Sequence, residues 1–261
     1  MYFNMPFFYK KLRGLSLRIF NNIENNMNSN FFTNGEKLFI TNLFKKFQKY
    51  KNKIVIFDIG ANVGNYSSIL IEESKKIGLQ IELHIFEPTK SCFKILESKF
   101  SNIENIFLNN FGLSEEEGKS LIYFDKETSG LASLYKRDLK DYNIEMTNSE
   151  EIILKRVDGY IKEKNITHIN FIKIDVEGNE LKVLNSIGEY LKSDFIDYIQ
   201  FEYGGCNIDS RTFLKDFYIL FSNKDFSIYK IMKKGLEKRN YNLFMENFNY
   251  SNYVAISNKI I

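Results

Sequence analysis

Asp58 is followed by a glycine-spaced turn, and this combination is suited to binding a ligand that carries both charges. The apolar run Ile54 to Phe57 predicts a strand that leads into Asp58. The turn Gly60-Ala61-Asn62-Val63-Gly64 then opens a segment with helical spacing. Glycine allows a tight turn and a close approach of the ligand to the backbone. Free amides at a helix start favour an anionic group, whereas Asp58 favours a cation or braces the loop.

Glu87 and Pro88 follow the second predicted strand, Ile81 to Phe86. Glu87 comes 23 positions after Gly64, close to the separation at which an acid binds ribose hydroxyls in dinucleotide-binding units. The G-x-G-x-x-G motif that serves a pyrophosphate is absent. The sequence therefore predicts an adenosine-containing cofactor without a pyrophosphate.

Two further acids stand where later strands end. Phe171 to Ile174 predicts a buried strand that leads into Asp175, and Glu202 lies at the end of the next strand, Tyr198 to Tyr203. Ligands of open α/β sheets bind outside the carboxyl ends of the strands. We therefore expect Asp58, Glu87, Asp175 and Glu202 to converge on one rim.

The elements that position these acids alternate between strand and helix, which predicts an α/β fold with a parallel, doubly wound sheet. We expect an N-terminal helical extension over residues 1–34 and a catalytic domain over residues 35–261. A polar stretch, Asp125 to Glu150, lacks a clear pattern. It indicates an insertion around residues 115–155 that forms a mobile cover over the substrate.

Composition excludes several classes of protein. The 261 residues carry 36 basic and 33 acidic side chains, and this near balance gives no field for nucleic acid. Cys92 and Cys206 lie far apart, outside any metal-binding spacing, which favours a reducing cytoplasm. Basic residues interrupt the apolar N-terminus, so we expect neither a signal peptide nor a transmembrane segment.

The N-terminal segment predicts an amphipathic helix, because Phe8, Leu12, Leu15 and Ile19 share helical spacing. Packing of this helix on the domain or on a second subunit is the first interpretation, and peripheral contact with a membrane surface is the second. The Asn-rich stretch Asn21 to Asn30 is interpreted as a linker.

Three motifs, V-I-F-D-I-G-A-N-V-G-N-Y-S, I-F-E-P and I-K-I-D-V-E-G-N-E, occur in an order that resembles the FkbM family of class I S-adenosylmethionine-dependent methyltransferases. The resemblance covers roughly residues 35–258. It implies a Rossmann-like fold with helices on both faces of a seven-stranded, mostly parallel sheet of order 3-2-1-4-5-7-6, the last strand antiparallel. Lys90 stands where the family often has a second proline, which affects only the local loop.

The resemblance also implies S-adenosyl-L-methionine as cofactor and assigns the residues around it. The turn after Asp58 surrounds its amino-acid part, Glu87 holds the ribose, and the turn from Asn110 to Leu113 lies near the adenine. The predicted cofactor-binding residues are Asp58, Gly60, Ala61, Asn62, Gly64, Tyr66, Ser67, Glu87, Pro88, Asn110, Gly112 and Asp175.

An alcohol acceptor requires a general base or a metal that lowers the hydroxyl pKa. Asp175 is the first choice of base, and Glu202 could share a divalent ion such as Mg²⁺ with it. His168 precedes its strand and is expected at the opposite end of the sheet, and His84 is expected in the core. Glu177 and Glu180 are interpreted as stabilising the start of the following helix.

The function predicted from this resemblance is O-methylation of a hydroxyl on a sugar or nucleotide-linked sugar of a bacterial surface polysaccharide. A small secondary metabolite is the alternative acceptor. A nicotinamide-dependent oxidoreductase and a non-catalytic adenosine-binding protein are less favoured, because the glycine motif of the first is absent and the strand-end acids are retained. A homo-oligomer is possible.

Overall fold

A computed structural model describes residues 5–50 and 52–261, so the first four residues of the predicted extension lie outside the described residues. The helices are α1 (Phe7–Ile23), α2 (Glu36–Phe47), α3 (Asn65–Lys76), α4 (Lys90–Phe100), α5 (Val157–Glu163), α6 (Glu180–Ser186), α7 (Cys206–Ser210) and α8 (Leu214–Ser222). The strands are β1 (Ile54–Ile59), β2 (Ile81–Phe86), β3 (Ile106–Asn109), β4 (Gly112–Leu113), β5 (Gly118–Phe124), β6 (Asn148–Lys155), β7 (Ile169–Ile174), β8 (Ile196–Tyr203), β9 (Phe226–Met232), β10 (Gly235–Lys238) and β11 (Ser251–Ser257).

The central sheet has the order β10-β9-β11-β8-β7-β1-β2-β3. β1, β2, β3, β7 and β8 pair in parallel, and β11 runs antiparallel to both of its neighbours. Apart from β10, this is the predicted order 3-2-1-4-5-7-6 with an antiparallel last strand, so the predicted fold is confirmed. β10 is an addition that extends β9 by a short hairpin at the sheet edge.

Both faces of the sheet are covered, which explains why β7 and β8 are buried at every position. On one face Phe44 of α2, Leu70 of α3 and Leu96 of α4 belong to a common core with β1 and β2. On the other face α5, α6 and α8 pack through residues such as Tyr160 and Phe217. These two cores fix the carboxyl ends of the parallel strands relative to one another.

The segment between β4 and α5 forms a small sheet of its own, of order β4-β6-β5. β5 pairs antiparallel with β6 over the full length of β5, and Ile122, Ile152 and Leu154 form a separate apolar cluster. The polar stretch Asp125 to Glu150 therefore runs into a strand at its end, which sequence patterning missed. The acids and asparagine at the start of β6 hid its alternation.

The residues before α2 differ from expectation in two respects. Every residue of α1 from Phe7 to Phe20 is exposed, so this part of the helix does not pack on the domain. The Asn21 to Asn30 stretch is not a simple linker, because Asn25 donates to the carbonyls of Asn34 (2.6 Å) and Ile231 (3.0 Å). Among the described residues, no helix combines the length and apolar character needed to cross a bilayer.

Candidate active site

A cavity of about 910 Å³ opens at the carboxyl ends of the parallel strands and is large enough for a cofactor-sized ligand. Of the predicted site residues, those that line it are Gly60, Ala61, Asn62, Tyr66, Glu87, Pro88, Gly112, Asp175 and Glu202. Asp58, Gly64, Ser67 and Asn110 were also predicted to contact the cofactor, but they are not among the lining residues.

The glycine turn after β1 has the backbone geometry that its sequence predicts. Gly60 and Gly64 have φ values of 81° and 79°. A Cβ atom on Gly60 would lie 1.8 Å from the backbone oxygen of Asp175, so no other residue fits without movement of the backbone. The amides of Gly60 and Ala61 donate to the Phe86 carbonyl at 3.0 and 3.1 Å, which ties the turn to the end of β2.

Asp58 lies beneath this turn and is completely buried. Its Oδ2 accepts a hydrogen bond from the Ser67 hydroxyl at 2.5 Å, and its Oδ1 lies 3.9 Å from Lys173 Nζ. Burial raises the pKa of Asp58, while Lys173 and Ser67 act in the opposite direction. Neither Asp58 nor Ser67 is among the residues that line the cavity, and both brace the turn from below.

Glu87 faces the cavity and holds the neighbouring loops together. Its Oε2 accepts from the Asn62 amide at 2.8 Å, and its Oε1 accepts from the amide and hydroxyl of Thr89 at 2.9 and 2.6 Å. Burial raises the pKa of Glu87, and these donors oppose the shift. Asn110 is exposed and donates to the carbonyls of Glu87 and Pro88, so it shapes the turn from outside.

Three carboxylates meet on the other side of the cavity. One oxygen from each of Asp175, Glu177 and Glu202 lies within 4.8 Å of the others. The Asp175 carboxylate accepts a hydrogen bond from Lys173 Nζ at 2.9 Å, whereas no described residue donates a hydrogen bond to the Glu202 carboxyl group. Burial, followed by the charge of Asp175, raises the pKa of Glu202 well above its ordinary value. Burial and the neighbouring negative charges therefore favour the protonated form of Glu202.

Glu177 and Glu180 have different roles, although the sequence suggested the same role for both. Glu180 accepts from the amides of Val176 and Gly178 at 3.2 and 3.1 Å, as expected at the start of α6. Glu177 has a φ of 52° and forms an ion pair with Arg137 at the cavity wall. Burial and the charge of Asp175 raise the pKa of Glu177 to about 8.

Lys173 and Arg137 are site residues that the sequence analysis missed. Lys173 is buried, lines the cavity, and places Nζ 4.9 Å from the centre of the Tyr66 ring. Burial alone would lower its pKa, but Asp175 and Asp58 outweigh this effect and raise it. Lys173 interrupts the apolar run Phe171 to Ile174, and this could have indicated a site residue from the sequence. Arg137 carried no such signal, because it reaches Glu177 and Asp209 from the insertion.

The two histidines lie outside the cavity, whereas Cys206 lines it. His168 lies 3.1 Å from Asp197 at the opposite end of the sheet, and His84 contacts Tyr160 and Glu82 in the core, as expected for both. Tyr203 packs in the core and donates to Glu246 at 2.6 Å. Cys92 and Cys206 are buried free thiols.

The lining of the cavity fits a cofactor that has an adenosine part and a charged amino-acid part. The turn at Gly60 lets a ligand lie close to the backbone, and the Glu87 carboxylate retains lone pairs for ribose hydroxyls. Gly112 and Leu113 add a flat, apolar wall suited to a base.

Comparisons with known proteins identify the family. The model of the methyltransferase FkbM domain matches residues 58–232, which include the second and third motifs and the first motif from Asp58 onward. A curated relative, Methyltransferase 1 of Beauveria bassiana (strain ARSEF 2860), is 24% identical over 149 residues. That match covers 51% of this chain and 58% of the relative, so it spans little more than half the length of the fungal protein.

Solved structures resemble the chain at low identity. Methyltransferase FkbM from Methylobacillus flagellatus KT is 15% identical, with a TM-score of 0.47, and the match covers 83% of this chain and 48% of that one. Fibrillarin from Aeropyrum pernix, solved with natively bound S-adenosyl-L-methionine, is 13% identical with a TM-score of 0.43 over 79% and 67% of the two chains.

The family match over more than half of the chain, together with the sheet order and the glycine turn at the carboxyl end of β1, establishes that this chain belongs to the FkbM methyltransferase family.

Proposed function

We propose that the chain methylates a hydroxyl group of a sugar or nucleotide-linked sugar, in the synthesis of a bacterial surface polysaccharide in the cytoplasm. The observation that carries this proposal is the cluster of Asp175, Glu177 and Glu202 opposite the glycine turn. Carboxylates accept hydrogen bonds from hydroxyl groups, and a sugar offers several of these in fixed directions.

The cofactor side of the cavity is assigned to the residues around Gly60 and Glu87. When bound, S-adenosyl-L-methionine supplies an activated methyl group on a sulfonium. The protein must hold the acceptor oxygen in line with that methyl group and exclude water. Arg137 and Leu134, both from the insertion, line the cavity and support its role as a cover.

Asp175 and Glu202 are assigned separate tasks in catalysis. Asp175 is fixed by its charge-assisted hydrogen bond to Lys173, so it is suited to orienting the acceptor. Glu202 accepts no hydrogen bond from a described residue through its carboxyl group, so its ionised form is suited to accepting the proton of the acceptor hydroxyl, and its raised pKa makes that form a stronger base. This assignment shifts the role of base from Asp175, the first choice from sequence, towards Glu202.

A divalent ion held by Asp175 and Glu202 remains a prediction. The Lys173 ammonium already compensates the charge of Asp175, which reduces the need for a metal. A chelator added to the purified enzyme tests this prediction. Full activity afterwards would exclude a divalent requirement, and restoration by Mg²⁺ of activity lost to the chelator would establish one.

The experiment that tests the acceptor class is a panel of nucleotide sugars, surface glycans and small phenolic or polyketide alcohols. Each is incubated with labelled cofactor, and products are detected by mass spectrometry. We expect a single methyl addition on a sugar. Methylation confined to the non-sugar alcohols would overturn the sugar assignment and support a secondary metabolite instead.

A further inference from the structure

α1 presents an apolar face that the other described residues leave uncovered. Phe8, Leu12, Leu15, Ile19 and Ile23 lie on one side of the helix, and their exposed fractions range from 47% to 69%. No residue of α1 is buried. An apolar stripe on an unpacked helix of 17 residues is costly in water unless a partner covers it.

The charge of α1 identifies the chemistry of that partner. The helix contains Lys10, Lys11, Arg13 and Arg18 and no acidic residue. The whole chain has 36 basic and 33 acidic residues, so 32 basic and 33 acidic residues remain outside α1. The net positive charge of the chain is therefore concentrated on this one helix, and its partner should be anionic.

Contacts at its C-terminal end connect α1 to the domain. Glu24 forms ion pairs with Lys230 at 3.4 Å and with Arg239 at 3.2 Å. The exposed turn between β9 and β10 adds Lys233, which bonds Asn22, and Lys234. The basic surface of α1 thus continues onto the edge of the sheet.

We propose that α1 docks on a membrane surface rich in anionic phospholipid, lying in the interface with its apolar face in the acyl boundary. A basic amphipathic helix with aromatic residues on it is suited to that position. Two copies of α1 packed face to face would bring eight like charges together, which disfavours a symmetric helix pair. Nucleic acid would satisfy the charge but leave the apolar stripe in water.

Docking in this way places the catalytic cavity beside the membrane. Met27, Ser29 and Phe31 follow α1 directly and line the cavity. The cavity wall and the docked helix are thus separated by only a few residues, and acceptors held at the membrane come within reach.

The test is co-sedimentation of the full chain with vesicles of phosphatidylcholine alone and with added phosphatidylglycerol. We expect binding only to the anionic vesicles, since each basic residue near such a surface strengthens binding by about fivefold. The variant K10Q/K11Q/R13Q/R18Q should bind at least about 100-fold more weakly by the same rule. A matched control, K45Q/K46Q/K75Q/K94Q, removes four exposed lysines from the domain and should bind as the wild type does.

A second variant, L15S/I19S, separates the membrane from other partners. Loss of apolar burial should weaken vesicle binding by about tenfold or more, whereas binding to nucleic acid should be unaffected. Calorimetry with S-adenosylhomocysteine checks that all variants remain folded. The proposal is overturned by equal binding to both vesicle types, by no binding, by wild-type binding of the α1 variants, or by light scattering that shows a dimer dissolved by L15S/I19S.

Discussion

The two sides of the cavity are built in different ways. The cofactor side depends on backbone geometry within a short stretch of chain, from the turn at Gly60 to Glu87, and its hydrogen bonds are mostly to main-chain amides. The acceptor side depends on side chains from distant segments. Arg137, Asp175, Glu177 and Glu202 meet there only after folding.

Because of this difference, members of a family can share the cofactor side while each member has its own acceptor side. A backbone cradle tolerates few substitutions, so its sequence is recognisable. Side chains that converge from several segments can change one at a time and alter the acceptor while the cradle persists. The following experiments test whether a substitution on one side of the cavity leaves the function of the other side unchanged.

The largest effect is expected at Glu202. Glu202→Gln keeps the shape of the side chain but cannot accept a proton, so turnover should fall by about 10²- to 10⁴-fold. Affinity for S-adenosylhomocysteine, measured by calorimetry, should change little because Glu202 belongs to the acceptor side. Glu72→Gln on the exposed face of α3 is the control. Turnover near the wild-type value would remove Glu202 as the base.

The next largest effect is expected at Gly60, in the glycine turn of the cofactor side. Gly60→Ala forces a side chain into a position with φ of 81° and against the Asp175 carbonyl. Strain of about 3 kcal/mol should weaken binding of S-adenosylhomocysteine by roughly 100-fold. Gly130→Ala also changes a cavity residue, but its Cβ meets open space, so affinity should be retained. Equal behaviour of the two variants would contradict a backbone-built cofactor side.

Glu180, the buried carboxyl at the start of α6 beside the acceptor side, should lower the stability of the fold as pH rises. Burial raises the pKa of Glu180 from 4.5 to about 7, and its Oε2 has no hydrogen-bond partner among the described residues. The folded state holds the Glu180 proton more tightly than the unfolded state does. The contribution of this proton to the free energy of unfolding is therefore fully present below pH 4.5 and is lost as pH rises towards 7. Urea unfolding should show that Glu180→Gln removes about 2 kcal/mol of the decline between about pH 5 and pH 7. An unchanged slope would show that Glu180 is not the group responsible.

The smallest effect is expected at Glu87, the main side chain of the cofactor side. Glu87→Gln retains an acceptor but turns the other oxygen into a donor, which cannot accept from Asn62 or a ribose hydroxyl. Affinity for S-adenosylhomocysteine should fall by about tenfold, the equivalent of one hydrogen bond to a charged group. At saturating cofactor, turnover should be nearly unchanged. A defect confined to turnover would place Glu87 in the chemistry and not in binding.

Sequence reasoning succeeded where local pattern and structure agree. The apolar run of β2 predicted that strand with the observed ends, and the family resemblance of the three motifs implied the sheet order. β6 begins with polar residues, and α5 contains Gly159, so both were missed. The exposure of α1 was not predictable, because an amphipathic pattern shows that a face needs a partner and not where that partner is.

The site residues show the same distinction between local relations, which the sequence reveals, and contacts between distant segments, which it does not. Glu87 was recognised by its distance from Gly64, a local relation. The ion pair between Arg137 and Glu177 joins residues 40 positions apart, and no periodicity encodes it. The burial of Asp58 below the cavity likewise depends on how Lys173 and Ser67 enclose it.

Asn62 connects the glycine turn to the insertion that covers the cavity. Its backbone amide donates to Glu87, and its side chain donates to the carbonyl of Ser129 in the insertion at 2.8 Å. A ligand that shifts this turn must therefore also shift the cover, and we expect the two substrates to bind with cooperativity. Thermodynamic linkage makes that cooperativity reciprocal, so an acceptor should tighten the cofactor by the same factor by which the cofactor tightens the acceptor. Asn62→Ala should bring that factor towards one, and titrations of each ligand in the presence of the other would measure it.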